Sequence, residues 1–356
     1  GHTFRKPRVT ASLNSSTMWV SESSRVDKYW FAVRDTMLKT DRLLTLVPLN
    51  RNCSLSICPS TKDTLNNLFL ALQHPYICPV LDLEFVEYEG QNYVILVQPI
   101  NQGSLKDLIY GRNCWNEDWG QKYAARGKGL PLRQIQQMGR QILEALVFLK
   151  ERGFPTVTHL HSGNVVVQNG VARLAGLENS LLGFTSRIHP VVTSRSPHGT
   201  SIDSICFGHM LFEMCAGYEL CSFKPASMHL ADLRMYPQVA NLMDVIFSKT
   251  NGRYPSVEEL MVHDIFRNID LREMRSAPVT IFRPTLTPSI LNLLDGIKRH
   301  NSGKRYAKWK LLTDYSLVLS HSNFLLTSYI RNNFETINST DMHERTTCFV
   351  DCVNGF

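Results

Sequence analysis

The sequence lacks the features that would place it at once in a membrane, secreted or repeat class of protein. No hydrophobic run is long enough to form a membrane-spanning helix, and no secretory signal is visible. No internal repeat occurs. The nine cysteines are odd in number and include no CxxC pair. We interpret them as reduced thiols, most of them in the core of a cytosolic protein.

Charged residues are also few, at 19% of the chain, whereas apolar residues make up 43% of its 356 positions. This composition excludes disorder over most of the length and supplies enough apolar side chains for the core of a two-lobed domain. The net charge of +7 is spread along the chain, and its densest basic stretch runs from Lys298 to Lys310. We interpret that stretch as a solvated helix face. The alternatives, in order, are a surface for phosphate headgroups or acidic protein, and nucleic acid, so no nucleic-acid partner is predicted.

The order of the predicted elements indicates an α+β fold, with a β-rich first part and a helical second part. Strands are predicted over 29–33, 43–49, 80–86 and 93–97. Helical periodicity is clearest over Leu132–Arg152, and the helix at 203–215 is apolar on nearly all sides, so it should be buried.

Local signals add further elements. Ser104 is placed to cap a short helix that runs through Ile109. Asn169-Gly170 predicts a tight hairpin between two short strands. Residues 287–299 predict an amphipathic helix with an apolar face of Leu291, Leu294 and Ile297.

Four motifs occur in the order and at the spacing found in protein kinases, so the chain resembles that family from about residue 25 to 270. The string HPYI at 74–77 resembles the turn after the first kinase helix, and QGSL at 102–105 resembles the end of the hinge. DSICFG at 203–208 is similar to a buried helix of the large lobe. RYPS at 253–256 is similar to the start of its closing helix.

Two further strings narrow the resemblance. HLHSGN at 159–164 and LENSLLG at 177–183 resemble the group that contains the PX-domain kinase-like protein and the Slowpoke-binding protein. No PX domain is visible and a long extension follows the kinase-like part, which favours the Slowpoke-binding side of this group.

The resemblance implies a bilobal protein-kinase-like fold with a β-rich N-lobe and a helical C-lobe. On this basis we divide the chain into four parts. They are an N-terminal arm at 1–25, an N-lobe at 26–100, a C-lobe at 101–270 and a C-terminal helical extension at 271–356.

Phosphoryl transfer in kinases needs a glycine-rich loop, a Lys–Glu pair, a catalytic Asp, and an Asn and a second Asp that hold metal. The resemblance places the glycine loop near residues 19–31, a stretch without glycine. Val47 stands where the Lys is expected, and Leu65, nine positions before His74, stands where its Glu partner is expected. Both residues are apolar, so we expect them to pack rather than to form an ion pair.

In the catalytic loop, His159 holds the position of the catalytic Asp, and the metal-binding Asn is retained five positions later as Asn164. A His can accept a proton, but we interpret His159 as a structural residue that donates to backbone. We interpret Asn164 as a turn-capping relic unless metal is bound. His161 has no pattern of Cys or carboxylate partners nearby, so zinc is not predicted.

Gly176 falls twelve positions after Asn164, where the second metal-binding Asp is expected, and a glycine cannot ligate Mg²⁺. We expect Glu178 to be a surface carboxylate or a helix cap, with an inward-reaching side chain as the alternative. The resemblance therefore predicts no catalytic residue, no cofactor and no metal site.

The segment between Gly176 and Asp203 is short for a substrate-binding activation segment. Within it, Ser196 precedes a proline and lies near Arg187 and Arg195, which makes it a candidate phosphorylation site. The alternative is an ordinary polar loop.

The loss of several catalytic parts beside retained lobe-building motifs predicts a pseudokinase that acts by binding partners. The resemblance implies a cytoplasmic regulator of a membrane ion channel of the Slowpoke potassium type, or of a transporter, recruited to the plasma membrane through its partners. It also implies 14-3-3 proteins as partners.

Two alternatives stay open. One is a residual kinase that uses His159 and Asn164 with a relocated lysine, Lys28 or Lys39, and the other is an adaptor bound through its C-terminal extension.

Overall fold

The computed structural model describes residues 19–21, 28–35, 37–49, 53–88, 90–112, 119–157, 159–193, 202–250, 252–276, 285–307 and 334–336. An antiparallel sheet dominates the first part of the described chain, and helices dominate the second. The predicted α+β organisation is therefore confirmed.

The main sheet has the strand order β1-β2-β3-β5-β4, with every neighbouring pair antiparallel. Its strands are β1 (Trp19–Ser21), β2 (Lys28–Asp35), β3 (Thr40–Pro48), β4 (Asp82–Tyr88) and β5 (Gln91–Pro99). A further strand near the C-terminus, β8 (Phe334–Thr336), pairs with the far end of β2, on the same edge as β1. Sequence reasoning missed β8, and the extension predicted as helical therefore also contributes a strand.

The turn between β2 and β3 is held by one carboxylate. Asp35 Oδ1 accepts hydrogen bonds of 2.9 Å from the backbone N–H groups of both Met37 and Leu38. Lys39 follows in the left-handed region, with φ of 53°. This turn fixes the register of β2 against β3.

Both faces of the sheet are covered, so β3 and β5 each bury five consecutive residues. On one face, six residues form a separate apolar cluster: Phe31, Val33, Leu44, Leu46, Ile95 and Val97. On the other face, Val47, Val94 and Leu96 join the large core that continues into the helices.

The helical part contains a two-stranded sheet and most of the described helices. Helix α1 (Pro59–Ala71) lies earlier in the chain, between β3 and β4. Helices α2 (Leu105–Tyr110), α3 (Trp119–Lys122) and α4 (Leu132–Glu151) follow β5. A single 3-10 turn at Ser162–Asn164 leads into β6 (Val165–Gln168) and β7 (Val171–Leu174). The remaining helices are α5 (Leu177–Leu182), α6 (His189–Thr193), α7 (Ile202–Ala216), α8 (Ser227–Ala231), α9 (Pro237–Phe247), α10 (Val257–Met261), α11 (Arg272–Ser276) and α12 (Pro288–Ala307).

Two local signals act as predicted. Ser104 begins α2 with a capping box, in which its Oγ accepts from the Asp107 N–H and the Asp107 carboxylate accepts from the Ser104 N–H. Asn169 and Gly170 both have positive φ, 52° and 74°, as the tight turn between β6 and β7 requires.

Helices α4 and α7 form the centre of the helical part. The apolar face predicted for α4 is buried throughout. Of the fifteen residues of α7, all but Asp203 are buried, which confirms a helix surrounded by protein. Gly139 of α4 allows the Phe266 ring to approach so closely that a Cβ there would lie 2.7 Å from it.

The C-terminal extension packs against the first part of the chain. Helix α12 contacts α1, and it buries Ile290, Leu294 and Ile297 in the shared core. The prediction that Leu291 belongs to the apolar face is wrong, because this side chain is 45% exposed. Among the described residues, no helix is both long enough and apolar enough to cross a membrane.

Candidate functional site

The candidate site is the cleft where β2 and β3 face the loop at 159–164 and the turn at 176–178. The loop is anchored from below by α7. Asp203 accepts a hydrogen bond of 3.0 Å from the backbone N–H of Val157, just before the loop. Burial raises the pKa of the Asp203 carboxyl to about 7. An acid that is half-buried at the start of α7 thus fixes the backbone just before the loop.

His159 and Asn164 bond to each other across the loop. The side-chain amide of Asn164 donates to His159 Nδ1 at 2.7 Å and to the His159 carbonyl at 3.0 Å. The His159 imidazole is buried, and its Nδ1 accepts from the Asn164 amide. The Asn164 amide group is therefore engaged inside the loop, which is the part a turn-stabilising residue would play.

A second histidine, His161, lies beside His159, and both rings have a lowered pKa. The Gly163 N–H donates to His161 Nδ1, so the ring proton lies on Nε2, which faces His159 Nδ1 at 3.3 Å. Burial is the main cause that lowers the pKa of His159 to about 2, and the neighbouring His161 and the positive charge of Lys28 lower it further. Burial and then Lys106 lower the pKa of His161 to about 3. Both rings are neutral at physiological pH.

This protonation pattern is a poor match to proton transfer. A general base works best when its pKa lies near the working pH, and a pKa of about 2 makes His159 a weak proton acceptor. The geometry thus gives no support to a residual kinase that depends on His159.

Val47 and Leu65 lie in the large apolar core. Their exposed fractions are 0% and 1%, and both belong to the cluster that joins β3, α1 and the helical part. Each contributes apolar contact and no charge at its position.

Gly176 lies against the side chains of Asn164 and Asn179. Its φ is +70°, and a Cβ atom placed there would lie 2.7 Å from Asn179 Nδ2 and 3.0 Å from the Asn164 side chain. The Asn179 amide is itself held by a 2.8 Å bond to the Gly176 carbonyl. An Asp at this position would therefore need both neighbouring side chains to move.

The expectation for Glu178 is wrong. Glu178 is neither a surface carboxylate nor the cap of α5; it is 4% exposed and accepts a 3.1 Å hydrogen bond from Lys28 Nζ. The N-cap position of α5 belongs to Gly176. Lys28 is one of the two lysines of the residual-kinase alternative. Its partner Glu178 lies 150 positions away in the chain, so no local signal in the sequence marks the pair.

Sequence reasoning also missed a buried charge network beside the loop. Lys106, 2% exposed, reaches Glu213 at 2.8 Å and Glu219 at 2.7 Å. Ser162 donates to Glu213 at 2.6 Å, and Arg187 forms two bonds to Glu219. The Lys106 ammonium also lies over two tyrosine rings, those of Tyr110 and Tyr123. The network fastens the loop and the segment after α5 to α7.

A small cavity lies behind Gly176. Its volume is about 10 Å³, and it is lined by Phe69, Leu72, Ile77, Cys78, Pro79, Val80, Gln98, Gly176, Leu177 and Glu178. A space of this size holds about one water molecule. A ligand group larger than a water molecule would enter this cavity only if the walls moved.

Metal and modification sites were also considered at sequence level. In the part of the chain that the structure describes, no group of three or more His, Cys, Asp or Glu side chains is arranged to hold a metal ion. Ser196 lies outside the described residues, as does the stretch between β1 and β2 where a glycine loop would fall.

Comparison with known proteins identifies several relatives. The Slowpoke-binding protein of Drosophila melanogaster is 46% identical over 327 residues, which cover 83% of this chain and 63% of that protein. A probable inactive serine/threonine-protein kinase of Dictyostelium discoideum, slob2, is 29% identical over 78% of this chain and 48% of its own length. The PX domain-containing protein kinase-like protein of Mus musculus is 40% identical over 47% and 30%. The chain thus spans less than two thirds of each relative.

The comparison of folds gives a concordant result. The Neurospora crassa PAN3 pseudokinase superimposes with a TM-score of 0.50 at 13% identity, over 86% of this chain and 68% of that one. At this identity the likeness concerns the fold alone, and it confirms the predicted kinase-like architecture. No profile of a known protein family matches the chain. The chain is therefore a homologue of the Slowpoke-binding protein with a protein-kinase-like fold, related also to the PX-domain kinase-like protein and to probable inactive kinases.

Proposed function

We propose that this chain is a catalytically inactive kinase-like protein that acts by binding a protein partner. The observation that carries the proposal is the packing at Gly176, where a Cβ atom at the expected position of the second metal-binding Asp would lie 2.7 Å from Asn179 Nδ2 and 3.0 Å from the Asn164 side chain. Magnesium bound to nucleotide is usually held through carboxylates, and this carboxylate is missing from the cleft.

The other degenerate positions support the same proposal. Val47 and Leu65 are buried in the core, so they offer neither the cation nor the carboxylate of the nucleotide-orienting pair. The groups of a phosphoryl-transfer site act together, and the retention of Asn164 alone does not replace the rest. The relatives named as probable inactive kinases are in accord with this proposal.

For the partner, we infer the cytoplasmic region of a membrane ion channel of the Slowpoke potassium type. Support comes from the relative that is named for binding Slowpoke and that is 46% identical to this chain. The six cysteines among the described residues carry free thiols, which is in accord with a reducing compartment such as the cytoplasm. Recruitment to the plasma membrane would then follow from the partner.

Inactivity is tested by thermal melting of the wild-type chain with and without ATP and Mg²⁺. Because a ligand stabilises only the state that it binds, we expect no shift of Tm at millimolar nucleotide. A shift that saturates at micromolar ATP contradicts the proposal.

The binding role is tested with the immobilised cytoplasmic region of the channel and two forms of the chain, complete and lacking residues 302–356. We expect both forms to bind, because α12 already buries Ile290, Leu294 and Ile297 in its own domain. Loss of binding by a shortened chain that melts normally would favour the adaptor alternative.

A further inference from the structure

A buried ion pair, Lys28–Glu178, crosses the cleft. Lys28 is the first residue of β2, in the sheet, whereas Glu178 lies in the first turn of α5, in the helical part. Their side chains are 8% and 6% exposed, and Lys28 Nζ lies 3.1 Å from Glu178 Oε1. The pair therefore joins the two walls of the cleft at its interior.

Lys28 provides a positive charge beside the position where a kinase-like chain would carry its phosphate-binding lysine. Tyr29 pairs with Leu46, and the antiparallel register continued by one residue brings Lys28 opposite Val47. Directly opposed residues on neighbouring strands have Cβ atoms about 5 Å apart. The cation that Val47 cannot supply from β3 is thus supplied from β2.

The positive charge of Lys28 acts on the loop at 159–164, because it is among the causes that lower the pKa of His159.

Among the described residues, Lys28 contacts one carboxylate oxygen, Glu178 Oε1. The second oxygen, Oε2, is buried without a hydrogen-bond partner among the described residues. The carboxylate is therefore held by one of its two oxygens, and its exchange for another anion would break a single contact.

We propose that the Lys28–Glu178 pair is an autoinhibitory latch, in which Glu178 is an internal anion that occupies an anion-binding lysine. The ligand that Lys28 would take in its place is a small molecule with a polyphosphate group, bound without metal because Gly176 supplies no carboxylate. This inference rests on the proposed function, since the missing metal-binding carboxylate at Gly176 is the reason that Lys28 would take the anion without magnesium.

The test uses the whole chain, thermal melting and two probes, inorganic tripolyphosphate and ATP, each in the presence of EDTA. The variants are Glu178→Gln, Lys28→Met, and the two changes together. Glu84→Gln is the control, because it removes a carboxylate from another lysine pair, Lys62–Glu84, that joins α1 to β4 and is more exposed.

We expect Glu178→Gln to gain a saturable rise of Tm with both probes and an apparent affinity at least about tenfold above that of the wild type. The double variant and Glu84→Gln should show no gain. A response to tripolyphosphate as strong as that to ATP would identify the phosphate group as the recognised part.

Two results would overturn the latch. One is a folded Glu178→Gln chain that responds no better than the wild type, and the other is a gain that persists without Lys28. A wild-type response to ATP and Mg²⁺ that survives Lys28→Met would instead contradict the proposed function alone.

Glu178→Gln leaves Lys28 buried and unpaired, so this variant has a tendency to unfold. Glu178→Asp is the second variant, because it keeps the charge and shortens the side chain by one methylene. We expect its affinity for tripolyphosphate to lie between those of the wild type and Glu178→Gln. A folded Glu178→Asp chain with wild-type affinity contradicts the latch.

Discussion

At Gly176, neighbouring side chains restrict which residue the backbone can carry. The backbone there has positive φ, and two asparagine side chains, those of Asn164 and Asn179, occupy the space that a side chain would need. Each asparagine is in turn held by hydrogen bonds to the surrounding loop. Restoring the metal-binding Asp at this position would require a rearrangement of the loop.

Gly176→Asp is expected to lower stability by about 2–4 kcal/mol, through backbone strain and the displacement of both asparagines. Gly170→Asp is the control, because Gly170 has a similar φ of +74° and no atom within 4 Å of a Cβ. That change should cost about 1–2 kcal/mol, from backbone strain alone. Denaturant unfolding measures both values, and equal costs would show that the space around Gly176 is not tight.

Lys106 is expected to be the most sensitive charge of the helical part. Lys106→Met leaves the buried Glu213 without its cation, which should cost about 3–5 kcal/mol. Lys150→Met breaks the more exposed pair with Glu258, and it should cost less than about 1 kcal/mol. Urea unfolding of the two variants separates these cases. Similar small losses would mean that the Lys106 network does not hold the loop in place.

At the scale of elements, the contact of α12 with α1 ties the C-terminal extension to the body of the domain. The buried residues of α12 belong to the same core as Val47 and Leu65. Helix α11 adds a polar link, since the phenol of Tyr76 donates to Glu273 at 2.9 Å. The extension therefore stabilises the position of α1 without help from a ligand.

Leu294→Ala is expected to destabilise the protein by about 2–5 kcal/mol, because it removes a buried side chain from the core. Leu291→Ala, on the same helix and 45% exposed, should change stability by less than about 0.5 kcal/mol. Thermal and urea unfolding report both. An equal effect of the two changes would contradict the orientation of α12.

Elements with a strong local pattern could be predicted from the sequence. The apolar period fixed the place of α4, and Ser104 and Asn169-Gly170 marked a helix start and a hairpin. Strand β8 could not be predicted in this way, because its pairing with β2 joins residues about 300 positions apart. The apolar face predicted for α12 was wrong at Leu291. A helical period alone does not show which residues at the edge of an apolar face contact α1.

At the scale of the whole molecule, the two parts are held together by contacts of the chain itself. The Cys78 N–H donates to the Leu174 carbonyl at 2.7 Å, and the Lys28–Glu178 pair closes the cleft from the other side. In a kinase, nucleotide and metal help to order this region; in the described part of this chain, apolar packing, backbone hydrogen bonds and a buried ion pair cross it.

Motif spacing identified the positions of the candidate site that lack a kinase-type residue. It could not predict which side chains make contact across the cleft. Val47, Leu65, His159 and Gly176 were identified as degenerate positions by counting from neighbouring motifs. The inward turn of Glu178 and the Lys106 network depend on pairs separated by more than 100 residues. Such pairs have no periodicity or spacing that a single sequence can reveal.

The most direct test of the central claim is a crystal structure of the wild-type chain grown with millimolar ATP and Mg²⁺. We predict no ordered nucleotide in the cleft and an intact ion pair between Lys28 and Glu178. Ordered ATP between the sheet and the helical part, with magnesium held by Asn164 and a nearby carboxylate, would contradict it.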